Sequence, residues 1–257
     1  MRDPGLDRAI RAAGGVGALA RKIGISQPSL SNWSRVPAER VLSIENLTGI
    51  DRALLRPDLY GARDRDAVDE VDAARAREYA LLSVLLRCAP NANLLSRLAL
   101  LRGDLSPLGI AHGALGEVAA AADVERVERE FFDLFIGVGR GELLPYGSYY
   151  LTGFLNERPL ARLRDDLARF AIERVQGEVE PEDHAAVLCE CMAGLADGRF
   201  EAPAGADHEL FERHLLPWIG RFFADLEQAK SAEFYRRVGA VGRLFVEIES
   251  KAFALGS

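Results

Sequence analysis

Along most of this chain apolar residues return every third or fourth position, and nowhere do they alternate with polar ones over a sustained run. In "REYALLSVLLRC" that spacing puts Tyr79, Leu82, Leu85 and Leu86 on one stripe of a helix. "SPLGIAHGALGEVAAA" opens with Ser106 as an N-cap and Pro107 at the first helical position. In "DVERVEREFFDLF", Asp123 is the cap, and Val124, Val127, Phe131, Leu134 and Phe135 follow at helical spacing. Segments 159–175, 181–196, 207–228 and 231–253 carry the same period. With no run of alternating β-branched residues, the pattern predicts an all-α protein.

The pattern breaks at "YGARDRDAVDEVDAA", residues 60–74, which is dense in charge and nearly free of large apolar side chains. It divides the chain into a head (1–60), a linker or polar helical spacer (61–74) and a larger helical body (75–257). Charge follows the same division. Residues 1–60 hold nine Lys/Arg against six Asp/Glu, a net of +3; the chain totals of 32 and 39 leave 23 against 33 for the rest, a net of −10. A basic head on an acidic body implies two modules with different partners.

Composition narrows the setting. Of 257 residues 49% are apolar and 28% charged, the balance of a globular protein. No apolar run reaches the ~20 residues of a membrane helix, so no membrane insertion is expected. "MRDPGLDRAI" lacks the apolar centre of a secretory signal. Three cysteines, Cys88, Cys189 and Cys191, form no disulfide framework and fit a reducing compartment, hence the cytoplasm.

Within the head, "VGALARKIG" predicts a short helix, "GIS" a tight turn, and "QPSLSNWSR" a second helix capped by Ser26. That is the order of a helix-turn-helix, whose second helix enters the major groove of double-stranded DNA. Leu19, Ile25, Leu30 and Trp33 would form the core. Gln27, Ser29, Asn32 and Arg35 would face outward, with Asn and Gln suited to adenine edges and Arg21 and Lys22 to phosphates. The alternative is a head that keeps this fold without binding DNA, since +3 is a modest charge for phosphate neutralisation. "AI..AGG", "ALARKIGIS", "NW", "VPAERVLSIE" and "LRPDLY" together resemble the Cro-like antitoxin family of helix-turn-helix proteins typified by YdaS. Pro28 departs from the polar residue such proteins often carry there, and reads no base by hydrogen bonding.

Two stretches of the body invite chemistry. In "GEVEPEDHAAVLCECMAG" (177–194), Glu180, Glu182 and Asp183 run into His184, with Cys189 and Cys191 close behind. On one helix at about 100° per residue, Cys189 lies about 140° from His184 and about 200° from Cys191. These side chains do not converge on a metal ion, and neither a zinc Cys-x-x-Cys pair nor a deaminase pattern is present. Adjacent helix residues do not face one another, so Asp183 and His184 are poorly placed as an acid–base pair. A structural reading expects Pro181 to start the helix, the acids to complement its dipole, and His184, Val187, Leu188 and Cys191 to share one face. In "GVGRGELLPYGSYYLTG" (137–153), Gly137, Gly139 and Gly141 fit neither the dinucleotide nor the P-loop pattern. What remains is an aromatic, hydroxyl-bearing segment suited to peptide recognition or to capping the core.

In order, "REYALLSVLLRCAP", "EFFDLFIGVGRGELLPYGSYYLTGFLNERPL", "EPEDHAAVLCECMAGL", "FERHLLPWIGRFFADL" and "EFYRRVGAVGRLF" make residues 75–250 resemble the TorD family of molybdoenzyme chaperones, with its DmsD and NarJ types. The resemblance implies an all-helical cytoplasmic chaperone, monomer or homodimer, with no enzymatic activity, metal or cofactor. Its partner would be the twin-arginine signal peptide or the apo-form of a molybdoenzyme. It also marks Tyr146, Ser148 and Tyr150, then Glu180, Pro181, Asp183 and His184, then His214, Leu215 and Trp218 as family positions. Asp183, Glu180 or Glu182 would receive the arginines, and Tyr146, Tyr150 and nearby aliphatics the apolar stretch. Two other readings stand beside it: a transcriptional regulator whose body senses client or peptide, and a hydrolase built on His184.

Overall fold

The computed structural model describes residues 3–60, 63–173 and 180–256. It is helical throughout, with no strand among the described residues and one isolated antiparallel bridge, Tyr146 with His184. Two compact units divide at Val71/Asp72.

The first unit holds α1 (Pro4–Ala13), α2 (Val16–Lys22), α3 (Gln27–Ser31), α4 (Val41–Thr48), α5 (Arg52–Leu55) and α6 (Pro57–Tyr60). Asp3 caps α1 by accepting from the Gly5 amide at 2.8 Å, with Pro4 in the first turn. Leu6, Leu19, Leu30, Val36, Val41, Ile44 and Leu55 are fully buried, while Ile25 and Trp33 cover them from the edge. A side chain at Gly5 would meet the Leu54 and Leu55 carbonyl oxygens at 2.5 Å, so α1 and α5 touch through bare backbone there.

Helix α7 (Arg63–Arg87) runs through most of the stretch expected to be linker or spacer, and the unit boundary falls within it; residues 61 and 62 lie outside the described residues. The second unit continues with α8 (Ala92–Leu98), α9 (Pro107–Ala120), α10 (Val124–Phe131), α11 (Gly147–Thr152), α12 (Arg158–Arg169), α13 (Ala185–Ala196), α14 (Ala206–Leu210), α15 (Ile219–Gln228) and α16 (Phe234–Gly256). Asn91, Ser106 and Asp123 cap α8, α9 and α10. Two helices end in a wider π turn, Phe132–Ile136 after α10 and Phe211–Leu215 after α14. Helix α12 stops at Arg169, short of the segment end expected at 175; residues 174–179 lie outside the described residues.

The core of this unit gathers where α15 and α16 pack along each other and α16 crosses α9. Trp218, Phe222, Phe223, Tyr235, Val238 and Val241 are buried there, together with the predicted stripe of Tyr79, Leu82, Leu85 and Leu86. Two acids, one of them buried, tie distant elements together. Glu130 of α10 accepts from the amides of Glu233, Phe234 and Tyr235 at 2.7–3.1 Å, capping α16 from a distant part of the chain. Glu249, 1% exposed, accepts from the Tyr79 hydroxyl at 2.9 Å and from Arg75. Arg75 also reaches Asp72 and Asp207, and the buried charge of Glu249 is thus matched.

Candidate functional site: a motif wall between two cavities

Helix α11 begins at Gly147 because the chain before it lies against residues 183–185. Ala185 N donates to Pro145 O at 2.8 Å, and Gly147 N to Asp183 O at 2.9 Å. The Asp183 carboxylate then accepts from Ser148 N at 2.7 Å, through Oδ2, and so satisfies an opening amide of α11. Tyr146 completes the seam. Its hydroxyl donates to Glu180 Oε2 at 2.7 Å, and its ring stands edge-on to His184 with centroids 5.0 Å apart. Burial first, and then the bond to Glu180, raise the Tyr146 hydroxyl above the ordinary tyrosine value, so it stays a donor.

This geometry corrects the expectation that Pro181 starts the helix. Helix α13 starts at Ala185, and His184 is its N-cap: Nδ1 accepts from Ala186 N at 3.1 Å. Pro181 instead closes a turn through its carbonyl, which accepts from His184 N at 3.0 Å. The extended backbone at His184 is held by the bridge to Tyr146, a tertiary contact that outweighs the local preference for proline in a first turn. The acids therefore do not line up along the dipole of α13. Asp183 serves α11, Glu180 holds Tyr146, and Glu182 pairs with Arg164 of α12 at 2.8 Å.

Trp218 lies beneath the seam, 1% exposed, with its Nε1 donating to His214 O at 2.6 Å. Gly147 lets it approach, since a side chain there would sit 3.1 Å from that nitrogen. His214 in turn hydrogen-bonds through Nε2 to Asp166 Oδ2 at 2.7 Å. Burial would raise the Asp166 carboxyl, but hydrogen bonds from His214 and Arg169 and the charge of Arg213 outweigh it and hold it below the carboxylate range. Tyr150 packs on Trp218 at 5.5 Å and donates to Asp225 at 2.9 Å; burial and that bond raise its hydroxyl.

The family positions thus meet in one place, although they do not share one surface. Ser148, Asp183, His184 and Trp218 are buried, at 0%, 3%, 5% and 1% exposure. Asp183 was expected to present its carboxylate outward, and it does not. Its Oδ1 and the Ser148 hydroxyl have no hydrogen-bond partner among the described residues. Tyr146, Tyr150, Glu180, Pro181 and His214 are partly exposed.

The loop 180–184 and helix α12 separate two cavities. Pro159, Arg162 and Leu163 of α12 join Asp183, Arg213 and His214 around the smaller one, about 210 Å³. Across the wall, Arg164 and Leu167 of α12 join Glu180, Glu182, Val187 and Phe200 around the larger, about 620 Å³. Cys191 borders the larger cavity and Cys189 is buried. Burial pushes both thiols up to about 12, far from the thiolate form that binds metal or attacks a substrate.

In the head, Ser26 accepts from Ser29 N at 3.3 Å and caps α3. The helix is shorter than expected: it ends at Ser31, where Asn32 N bonds to Pro28 O and Trp33 N tightens onto Leu30 O as the ring turns into the core. Asn32 and Arg35 therefore follow the helix instead of riding on it. Gln27, Ser29, Asn32 and Arg35 are all exposed, as are Arg21 and Lys22 at the end of α2.

Comparison with known proteins follows the same division. Residues 103–224 match the family model described as nitrate reductase delta subunit, and residues 6–64 the one described as bacterial toxin YdaS. The TorD chaperone protein of Vibrio cholerae serotype O1 is 28% identical over 127 residues, 46% of this chain and 58% of that protein. The TorD chaperone protein of Aliivibrio fischeri is 28% identical over 135 residues, 49% of this chain and 63% of that one. The chain thus spans less than two thirds of the length of these curated relatives. A solved structure titled as a putative redox enzyme maturation protein from Archaeoglobus fulgidus superposes with a TM-score of 0.47 at 20% identity, covering 67% of this chain and 93% of that one. No helix among the described residues is long and apolar enough to cross a membrane. The chain is a YdaS-like helix-turn-helix head joined to a body that resembles the TorD chaperones and the nitrate reductase delta subunits.

Proposed function

We propose that the body is a maturation chaperone acting in the cytoplasm, without enzymatic chemistry of its own. It takes the twin-arginine signal peptide or the apo-form of a formate dehydrogenase-like or DMSO/TMAO reductase-like molybdoenzyme, and holds it until the cofactor is inserted and export can begin. The observation that carries this reading is the motif wall. The two ordered motifs most specific to such chaperones are hydrogen-bonded to each other, and their joint surface borders two open cavities. A pocket with apolar walls and a few convergent charges is the usual form of a ligand site. Isothermal titration of the full chain with a client-type signal peptide tests it: the Arg-Arg peptide binds, and the Lys-Lys version binds at least about tenfold more weakly, because Lys lacks the planar fork that pairs bidentately with carboxylate. Equal binding of both peptides, or of neither, would overturn it.

The exposed polar set of the head supports a second reading, a DNA-binding regulator whose body senses the client. Gln27, Ser29, Asn32 and Arg35 stand clear of the core, beside Arg21 and Lys22. Fluorescence anisotropy with the gene's own upstream DNA tests it. Specific binding weakens with salt, and the slope of log K against log salt falls by about one for each of Arg21→Ala and Lys22→Ala.

A further inference from the structure

The two cavities beside the motif wall differ in charge and lining, and the difference assigns their roles. Among the described residues, the smaller is lined by one carboxylate, Asp183, with Arg162 and Arg213. An incoming guanidinium would meet the like charge of Arg162 there, at a cost that rises as water is excluded, while Arg213 is already paired with Asp166 and Glu209. It would also find Asp183 already accepting from Ser148 N, with its other oxygen sealed from solvent. Nor is 210 Å³ enough for an arginine side chain together with an apolar neighbour, when ligand pockets run to roughly 300–1,000 Å³.

The larger cavity has the opposite character. Among the described residues its charged lining is four glutamates, Glu173, Glu180, Glu182 and Glu190, against two arginines, Arg164 and Arg199, a net of −2. Its floor is apolar, with Ile172, Val187 and Phe200 among the lining. Glu173 is exposed at the rim. The pair between Glu182 and Arg164 is open to water on the arginine side, whose side chain is 52% exposed against 14% for the glutamate. The exposed arginine is held only weakly, so a second guanidinium exchanges for Arg164 at Glu182 at small cost.

We infer that the larger cavity receives the arginine pair and the apolar residue that follows it, with Glu173 and Glu182 facing the guanidinium groups and Ile172, Val187 and Phe200 taking the apolar side chain. Asp183 is then a positioning residue. It fixes the start of α11 and, through its neighbours Glu180 and Glu182, the near edge of the cavity, without touching the peptide. This inference rests on the chaperone reading above and adds which cavity binds and by what chemistry.

The test uses the full chain and three synthetic peptides: an Arg-Arg pair before a leucine-rich segment, the Lys-Lys version, and Arg-Arg before a serine-rich segment. Titrated into the Glu173→Gln/Glu182→Gln double variant, the Arg-Arg leucine peptide is expected to bind at least about tenfold more weakly than to the unchanged chain. The serine-rich peptide is expected to lose a similar factor on the unchanged chain. Arg162→Gln, in the smaller cavity, should leave affinity within about twofold. Thermal melting of each variant checks the fold, and Val187→Gln supplies an independent lesion of the floor should the double variant melt early. If Arg162→Gln changes affinity while the double variant and Val187→Gln do not, the inference is overturned and the chaperone reading stands. If no peptide binds the unchanged chain, both fall.

Discussion

Replacing Asp183 by alanine removes the acceptor that satisfies an opening amide of α11, and the size of the effect follows from the burial of both groups. Asp183 is 3% exposed and Ser148 fully buried, and the bond between Oδ2 and the Ser148 amide is 2.7 Å long. A hydrogen bond to a charged group contributes about 1.5–3 kcal/mol net, and a buried amide left unpaired costs about 1–3 kcal/mol. Against this stands a carboxylate held away from water with its other oxygen unpartnered among the described residues. Its removal returns part of that desolvation cost. The balance is a loss of about 1–2 kcal/mol for Asp183→Ala, which lowers the melting temperature by about 2–8 °C in a domain of this size. Asp183→Asn keeps an acceptor for the Ser148 amide and drops the buried charge. It should fall within about 0.5 kcal/mol of the unchanged chain. Urea titrations followed by circular dichroism give both numbers, with the slope m checking that the transition is comparable. If the asparagine variant is as unstable as the alanine one, the carboxylate acts through its charge and this account of the seam is wrong.

Three further outcomes follow from other contacts. Trp218→Ala empties the largest fully buried side chain, against which Tyr150 and Phe222 pack, and should lower stability in urea by about 3–5 kcal/mol. His112 pairs with Glu78 at 2.8 Å, and the hydrogen bond its ring donates to Glu78 outweighs burial to raise its pKa above the ordinary 6.5. Its stabilising contribution is therefore complete below about pH 6.5 and lost as pH rises through the higher folded value, so melting temperatures across that window should decline in the unchanged chain and less so in Glu78→Gln. Gly5→Ala places a methyl 2.5 Å from the Leu54 and Leu55 carbonyl oxygens, and should destabilise the head by about 1–3 kcal/mol or more, read as faster amide hydrogen exchange in 4–55 with the body unchanged.

What the sequence revealed was what depends on neighbours in the chain. Ser26, Ser106 and Asp123 are legible as caps because each bonds an amide three residues on. The stripe through Tyr79 and Leu86 is legible because helix period alone sets it. The start of α13 was misplaced for the converse reason. Proline favours a first turn, yet the backbone of His184 is held extended by Tyr146, 38 positions earlier in the chain. The caps that Glu130 supplies to α16 and Asp183 to α11 also join distant positions, and no local signature marks them. For the candidate site, the ordered motifs named residues that the structure places side by side. Burial then separated Ser148, Asp183 and Trp218, which hold the wall, from Tyr146, Glu180 and His214, which border open space.

The same contacts explain why a run of acids ending in histidine can look catalytic without being arranged as an acid–base pair. A general base needs a nitrogen or oxygen aimed at a substrate proton. His184 directs Nδ1 at the Ala186 amide, which leaves the ring proton of the neutral form on Nε2, and its ring packs against Tyr146. Asp183 does not orient that ring, because its carboxylate points to α11. Each polar group of the motif thus fixes a piece of backbone: the start of one helix, the start of another, and the strand-like seam between them. Residues used in this way set the shape and charge of the adjoining cavity walls, and that is what reversible recognition of a peptide requires. On the chaperone reading proposed above, the motif frames a binding surface whose contacts are made by Glu182 and by neighbours such as Glu173 and Val187.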